Sequence, residues 1–327
     1  MRFSLFFFLI ALYSASAQNK PLNTEVNDSV MKNKRIMTLQ DKIAGGKKDK
    51  NKAVITDYKI ISYQRDTTYF DTTLTLQKDY KYNYLRSDDF ELLPFSNAGQ
   101  TYNTLAHRFN TGSMYPGIGA GAKHFNYMET EAIRYYHVPT PITELFFKTA
   151  MEQGQMIDAF IALNTSREFN LSLAYKGLRS LGKYQHILSS TGNFRFTANY
   201  HTKNNKYRLR THIVTQDILN QENGGIEDES NFESGNPQFT DRSRITVNFE
   251  DAENLLEGKR YYLDHEFDLI RRDDSLANHT MTLGHRFNYE TKFYQFDQTL
   301  ENDYFGEAFQ SSGIRDRAKL RTLQNEL

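Results

Sequence analysis

From Glu144 onward, apolar and polar positions alternate with a period of two, in short segments separated by turn residues. In 168–176, Phe169, Leu171, Leu173 and Tyr175 fall on one face, and Asn170, Ser172, Ala174 and Lys176 on the other. In 193–201, Phe194, Phe196, Ala198 and Tyr200 oppose Asn193, Arg195, Thr197, Asn199 and His201. Segment 206–213 sets Tyr207, Leu209, Thr211 and Ile213 against Lys206, Arg208, Arg210 and His212. The same division recurs in 244–250, with Ile245, Val247 and Phe249 against Arg244 and its polar neighbours. It recurs again in 261–269, where Leu263 and Phe267 oppose Asp264, Glu266 and Asp268, and in 280–289. With weaker runs at 144–151, 155–164 and 292–299, the pattern predicts about nine strands.

Segment length and loop spacing narrow the fold class. Nine or ten residues at about 3.3 Å each, tilted by roughly 40°, reach about 25 Å, the height of the apolar band of an outer-membrane barrel. Long connections at 178–192 and 216–241 alternate with tight ones near 165–167, 202–205 and 290–291. That asymmetry is expected of a membrane barrel with long loops on one side, although the hairpin at Glu152-Gln153-Gly154 is shorter than the rule asks. The expected fold is all-β: an antiparallel up-and-down outer-membrane β-barrel over 143–327. About nine strands is an odd count, and the chain end from Leu320 to Leu327 lacks an aromatic strand. Both lead us to expect an incomplete barrel, an open sheet with unpaired edges.

The preceding region reads differently. Residues 58–142 hold short β-like runs such as Thr72-Thr73-Leu74-Thr75-Leu76. Most of the turn chemistry is here too, including Pro94, Pro116, Pro139, Pro141 and the Gly117–Gly121 stretch. We expect an irregular region able to act as a plug. The glycines are followed by no Lys-Ser/Thr pair to hold phosphate and magnesium, so they read as a turn. Residues 18–57 have no aromatic and carry nine basic against five acidic residues, the composition of a flexible periplasmic lead.

Composition settles compartment and excludes several chemistries. Arg2 followed by the apolar run Phe3 to Tyr13 and by Ala15-Ser16-Ala17 forms a signal peptide, 1–17, cleaved after Ala17. No later apolar run is long enough for a spanning helix, which leaves barrel strands free to cross a membrane. Forty basic residues balance forty acidic ones, so charge points to no nucleic acid. With no Cys there are no disulfides or thiolate metal sites. Loop 216–241 holds seven acids and no base, but its spacing matches no calcium loop. The residues compose no catalytic constellation, no metal site and no cofactor site, and no enzyme is expected.

Alternation alone does not tell inside from outside. A soluble sandwich would bury the aromatic face, whereas a membrane barrel turns it to lipid and lines its lumen with the polar one. Export, strand length and loop asymmetry favour the second arrangement. Lys176, Arg195, Arg208, Arg210, Arg244, Asp264, Glu266 and Asp268 are then lumen-facing charges. Arg208 and Arg210 fall two predicted strands before the acidic ladder 264/266/268. The two sets either face each other across the lumen and impose a transverse field, or pair directly.

Several stretches resemble the putative porins of Bacteroidota, in particular the flavobacterial type. They are YNYLRSDDFELLPFSNAGQTYN at 82–103, HVPTPITELFFKTAMEQGQMIDAF at 137–160, LAYKGLRSLGKYQHILSSTGNFRFT at 173–197, QDILNQENGG at 216–225 and FTDRSRITVNFEDAENLLEGKRYYLDHEFDL at 239–269. The resemblance spans roughly 53–305 and implies an outer-membrane barrel passing small solutes, within a family pattern longer than this chain. It carries no residue-level site. The function to expect is passive diffusion of small polar solutes across the outer membrane. The alternative is a plugged barrel serving as a structural or secretion-associated surface scaffold. Partners would be outer-membrane lipid, small polar solutes and the barrel-assembly machinery, with a homo-oligomer left open.

Overall fold

The computed structural model describes residues 53–106, 116–150, 153–270, 281–306 and 313–327. The expected signal peptide and nearly all of the expected lead lie outside them. Ahead of the alternating region come five three-residue strands: β1 (Lys59–Ile61), β2 (Thr67–Tyr69), β3 (Leu92–Pro94), β4 (Tyr102–Thr104) and β5 (Tyr135–His137). They form a three-stranded sheet ordered β2-β1-β5 and a β3-β4 hairpin, joined by 3₁₀ turns. Such short strands leave many backbone groups without ladder partners, and those groups matter below.

The alternating region forms eight long strands among the described residues. They are β6 (Ile142–Ala150), β7 (Gly154–Asn164), β8 (Phe169–Ser180), β9 (Ser189–His201), β10 (Tyr207–Gln221), β11 (Glu253–Ile270), β12 (Met281–Gln298) and β13 (Ile314–Glu326). Each pairs antiparallel with its neighbour in sequence, giving one up-and-down sheet. The sheet is open, with β6 and β13 at its edges. At one end β7–β8 and β9–β10 close tightly through 165–168 and 202–206. At the other end β8–β9 and β10–β11 are joined by 181–188 and 222–252.

Three expectations about the strands need correction. Segment 244–250 is no strand: Arg242–Arg244 is a 3₁₀ turn, and only the bridge Ile226↔Val247 follows it. Its apolar set is buried all the same, Ile245 at 0%, Val247 at 6% and Phe249 at 5% exposure, with Phe249 edge-on to Tyr304 and stacked on Phe305. The alternation there marks one buried face inside a loop, which a ladder partner is not needed to produce. Segments 280–289 and 292–299 are a single strand, β12, because Glu290 and Lys292 are inward charges rather than turn residues. The chain end has no aromatic strand, as expected, but it forms a strand that the pattern did not predict. β13 escaped notice because four successive outward positions, Arg315, Arg317, Lys319 and Arg321, are basic and break the apolar pattern. The expected count of nine becomes eight.

The two faces of the sheet are inverted relative to a soluble protein. On β8 the polar set Asn170, Ser172 and Lys176 is buried, while Leu173 and Tyr175 are exposed. On β10 every even residue from Arg210 to Asn220 is buried and the odd ones are not. The same division holds along β11. The polar face is covered by residues 53–106 and 116–142, so the buried layer lies between that segment and a wall of Asn, Gln, Ser, Thr, Lys and Arg.

Candidate functional site

The site is the polar inner face of β6–β13 together with the N-terminal segment resting on it. Apolar contact is confined to small patches. Ile133 and Tyr135 pack on Val214 and Tyr262, Tyr84 packs on Met156 and Leu178, and Tyr127 packs on Ile218 and Leu256. Most of the contact is polar, and it answers the segment's shortage of ladder partners. Gln216 accepts from the Met128 N–H at 3.0 Å and donates to the Met128 carbonyl at 3.2 Å, mimicking one rung of a ladder. Asn170 accepts from the Val138 N–H at 2.8 Å, and Asn164 donates to the Pro139 carbonyl at 3.1 Å. Asn220 reaches the Gly99 carbonyl at 3.1 Å. That close approach suits a glycine at φ 87°, where a side chain would strike Leu178. Wall side chains thus satisfy buried backbone that would otherwise cost about 1–3 kcal/mol per group.

Charged residues hold the same interface. Arg210 pairs with Asp264 and donates to the carbonyls of Ser62 at 2.7 Å and Tyr63 at 3.1 Å. Arg65, from the segment, meets Asp264 at 2.8 Å and also pairs with Glu266. Burial pulls the Arg65 guanidinium below its ordinary pKa, against the opposing pull of Asp264. Arg208 bridges Asp268 at 2.8 Å and Glu266 at 3.3 Å. Arg260, 1% exposed, binds Glu290 at 3.4 Å, Thr130 at 3.1 Å and the Met128 carbonyl. Tyr135 hydrogen-bonds His212 Nδ1 at 2.8 Å, and His212 stacks on Tyr262 with ring centroids 4.7 Å apart.

Seven of the eight charges read from the sequence lie on this face: Lys176, Arg195, Arg208, Arg210, Asp264, Glu266 and Asp268. Arg244 does not. It is exposed in the 222–252 connection, 3.5 Å from Asp241. Because 244–250 is a loop, β10 and β11 are neighbours, with Arg208 opposite Glu266 and Arg210 opposite Asp264. The two ladders therefore pair directly on adjacent strands, the second of the two arrangements expected. The sequence reading missed Asp158, Arg260, Glu290 and Lys292. The first sits in a strand already recognised, and extending the period of two along β11 and β12 would have found the others. Arg65 and Arg86 come from the irregular segment, where no periodicity announces them.

The outward face is aromatic near the tight-turn end. Phe169, Tyr200, Tyr207, His265 and His285 form a chain of rings with successive centroids 6.4, 6.3, 5.9 and 5.2 Å apart. His265 bonds Tyr207 at 3.2 Å and His285 at 3.0 Å, and His285 bonds Asn325 at 3.2 Å. The two outward histidines thus find each other's nitrogens and need no water. Further along, outward charge begins at Lys259 on β11, opposite Thr215, and one step on Asp217 stands opposite Glu257.

A family model described as Putative porin matches residues 54–327. The chain belongs to the putative porin family. As a porin-family chain it is a porin-like outer-membrane β protein, and the inverted faces agree with that membership. No curated protein and no solved structure matches it. Among the described residues no helix of this porin-family chain is long and apolar enough to cross a membrane, which leaves strand crossing untouched.

Proposed function

We propose that this chain builds an outer-membrane wall around a polar lumen and passes small polar solutes by diffusion, with residues 53–142 as the constriction inside it. The observation that carries the reading is the inversion: Leu145, Phe147, Leu173, Tyr175, Tyr261 and Phe267 are exposed, while Asn170, Ser172, Arg210 and Asp264 are buried. An apolar outer face has lipid as its natural solvent, and a polar inner face has solute and plug. On β11 the outward positions from Tyr261 to Leu269 carry no carboxylate, Lys or Arg. At about 3.3 Å per residue and a tilt near 40°, that run rises about 20 Å, close to the height of an outer-membrane apolar band. Size and charge filtering, with no chemical step, would set what passes.

The hydrogen bonds that seat 53–142 on the wall favour a second reading, a plugged barrel that conducts nothing and serves as a surface scaffold. Planar-bilayer recording of the full chain separates the two. Stable conductance steps support diffusion past the segment, and a silent membrane despite confirmed insertion supports the scaffold. Recovery of the native protein as a detergent-free soluble pool after cell fractionation would refute both.

A further inference from the structure

We infer that the space between the segment and β7–β9 is a binding site for a small anionic sugar, carrying a carboxylate or a phosphate. This rests on the reading of the polar face as a lumen. The cavity has a volume of about 420 Å³, within the range of small-molecule sites. Its charged lining is unbalanced, with Arg86, Arg134, Lys176 and Arg195 against Asp158 alone. Asp158 is already shared between Arg86 at 3.3 Å and Arg195 at 3.5 Å, and Arg86 also pairs with Glu144 at 2.5 Å, so the excess rests on the other cations. Lys176 is 6% exposed and meets no carboxylate within salt-bridge distance among the described residues. Its ammonium donates to Asn126 at 2.9 Å and to the Leu85 carbonyl at 3.3 Å, both neutral acceptors, and lies 5.0 Å from the centre of the Tyr84 ring. An ammonium has three donors, and these two contacts leave one for a ligand.

A buried cation without a countercharge attracts an anion strongly where water is scarce. The remaining lining says what kind. Phe125, Tyr127, Tyr136 and Phe160 supply aromatic rings, and Ser172 and Thr197 supply hydroxyls 2.7 Å apart. Rings and hydroxyls suit the flat, hydroxyl-bearing body of a sugar, whereas a bare inorganic anion would leave most of the volume and all of the rings unused. A second cavity of about 410 Å³ shares Arg86, Tyr136, Asp158, Phe160 and Arg195 with the first. The two cavities therefore adjoin at these residues.

Equilibrium dialysis of the detergent-extracted full chain with glucose 6-phosphate, glucuronate and glucose tests this. At least one anion should bind, with glucose at least about tenfold weaker, and the stronger arm tells phosphate from carboxylate. Lys176→Met should weaken anion binding about tenfold or more, the scale of losing one charge-assisted contact. Lys259→Met on the outer face should leave it unchanged. If Lys176→Met does not fold, Arg134→Gln, at an exposed cavity position, takes its place. Equal binding of all three sugars, or anion binding indifferent to the substitution, overturns the site. Anion binding in a protein that shows no conductance would keep the site and remove only the diffusion reading.

Discussion

Leu263→Arg places a guanidinium inside the outward apolar run of β11, between Tyr261 and Phe267 and in register with Thr211 and Phe287. Leu255→Arg makes the same change eight residues along the same face of the same strand, beyond the level where Asp217 meets Glu257. At about 3.3 Å per residue and a tilt near 40°, the two sites differ in height by about 20 Å, more than half the apolar band. The first substitution should cost about 2–4 kcal/mol and the second about 0–1 kcal/mol. Guanidinium titration of the full chain folded into lipid vesicles, followed by far-ultraviolet circular dichroism, measures both. A soluble sheet would tolerate either change to within about 0.5 kcal/mol, since both positions are on the outward face. Equal costs at the two sites would refute the placement of the band, and two negligible costs would refute the membrane-facing assignment itself.

Arg260→Met should destabilise the protein by about 3–5 kcal/mol, because it leaves Glu290 buried without its arginine and removes one of the two donors to the Met128 carbonyl. Thermal unfolding reads the loss, and faster proteolytic cleavage near 127–130 locates it. Gly258→Ala should loosen the same stretch, since the added methyl occupies the place of the Tyr127 ring, whose hydroxyl donates to Glu290 at 2.8 Å. Hydrogen exchange should rise in 125–132 with β11 itself still protected. Burial, then the charge of His201, lowers His137 from its ordinary 6.5, so the seated segment disfavours the imidazolium. Its contribution to seating is complete above about 6.5 and declines as pH falls from there through the lowered value. Proteolytic release of the segment should therefore quicken on acidification, and His137→Gln should flatten that dependence.

Much of the wall was legible in the sequence because a strand's period of two is a local property, written wherever one side meets a different solvent from the other. Phe169 to Lys176 and Tyr207 to Ile213 declare both faces within a few residues. Their polar charges, Lys176 and Arg210 among them, could be placed on one side before any partner was known. The period does not require a ladder, which is why Ile245, Val247 and Phe249 imitated a strand inside a loop. Nor does a strand require the period, and the outward basic residues of β13 hid one.

Which face is inside, and what fills it, was decided only by tertiary structure. Alternation is symmetric between a lipid-facing and a core-facing aromatic side, and the choice depends on what covers the other face. The described part of the N-terminal segment supplies that cover through contacts between residues far apart in the chain, such as Met128 with Gln216 and Arg65 with Asp264. Short strands leave their backbone unsatisfied, and a polar wall is the surface able to satisfy it. The pairing of Arg208 and Arg210 with the acidic ladder was likewise a matter of register. Removing one false strand brought β10 beside β11 and turned two opposed charge sets into neighbours.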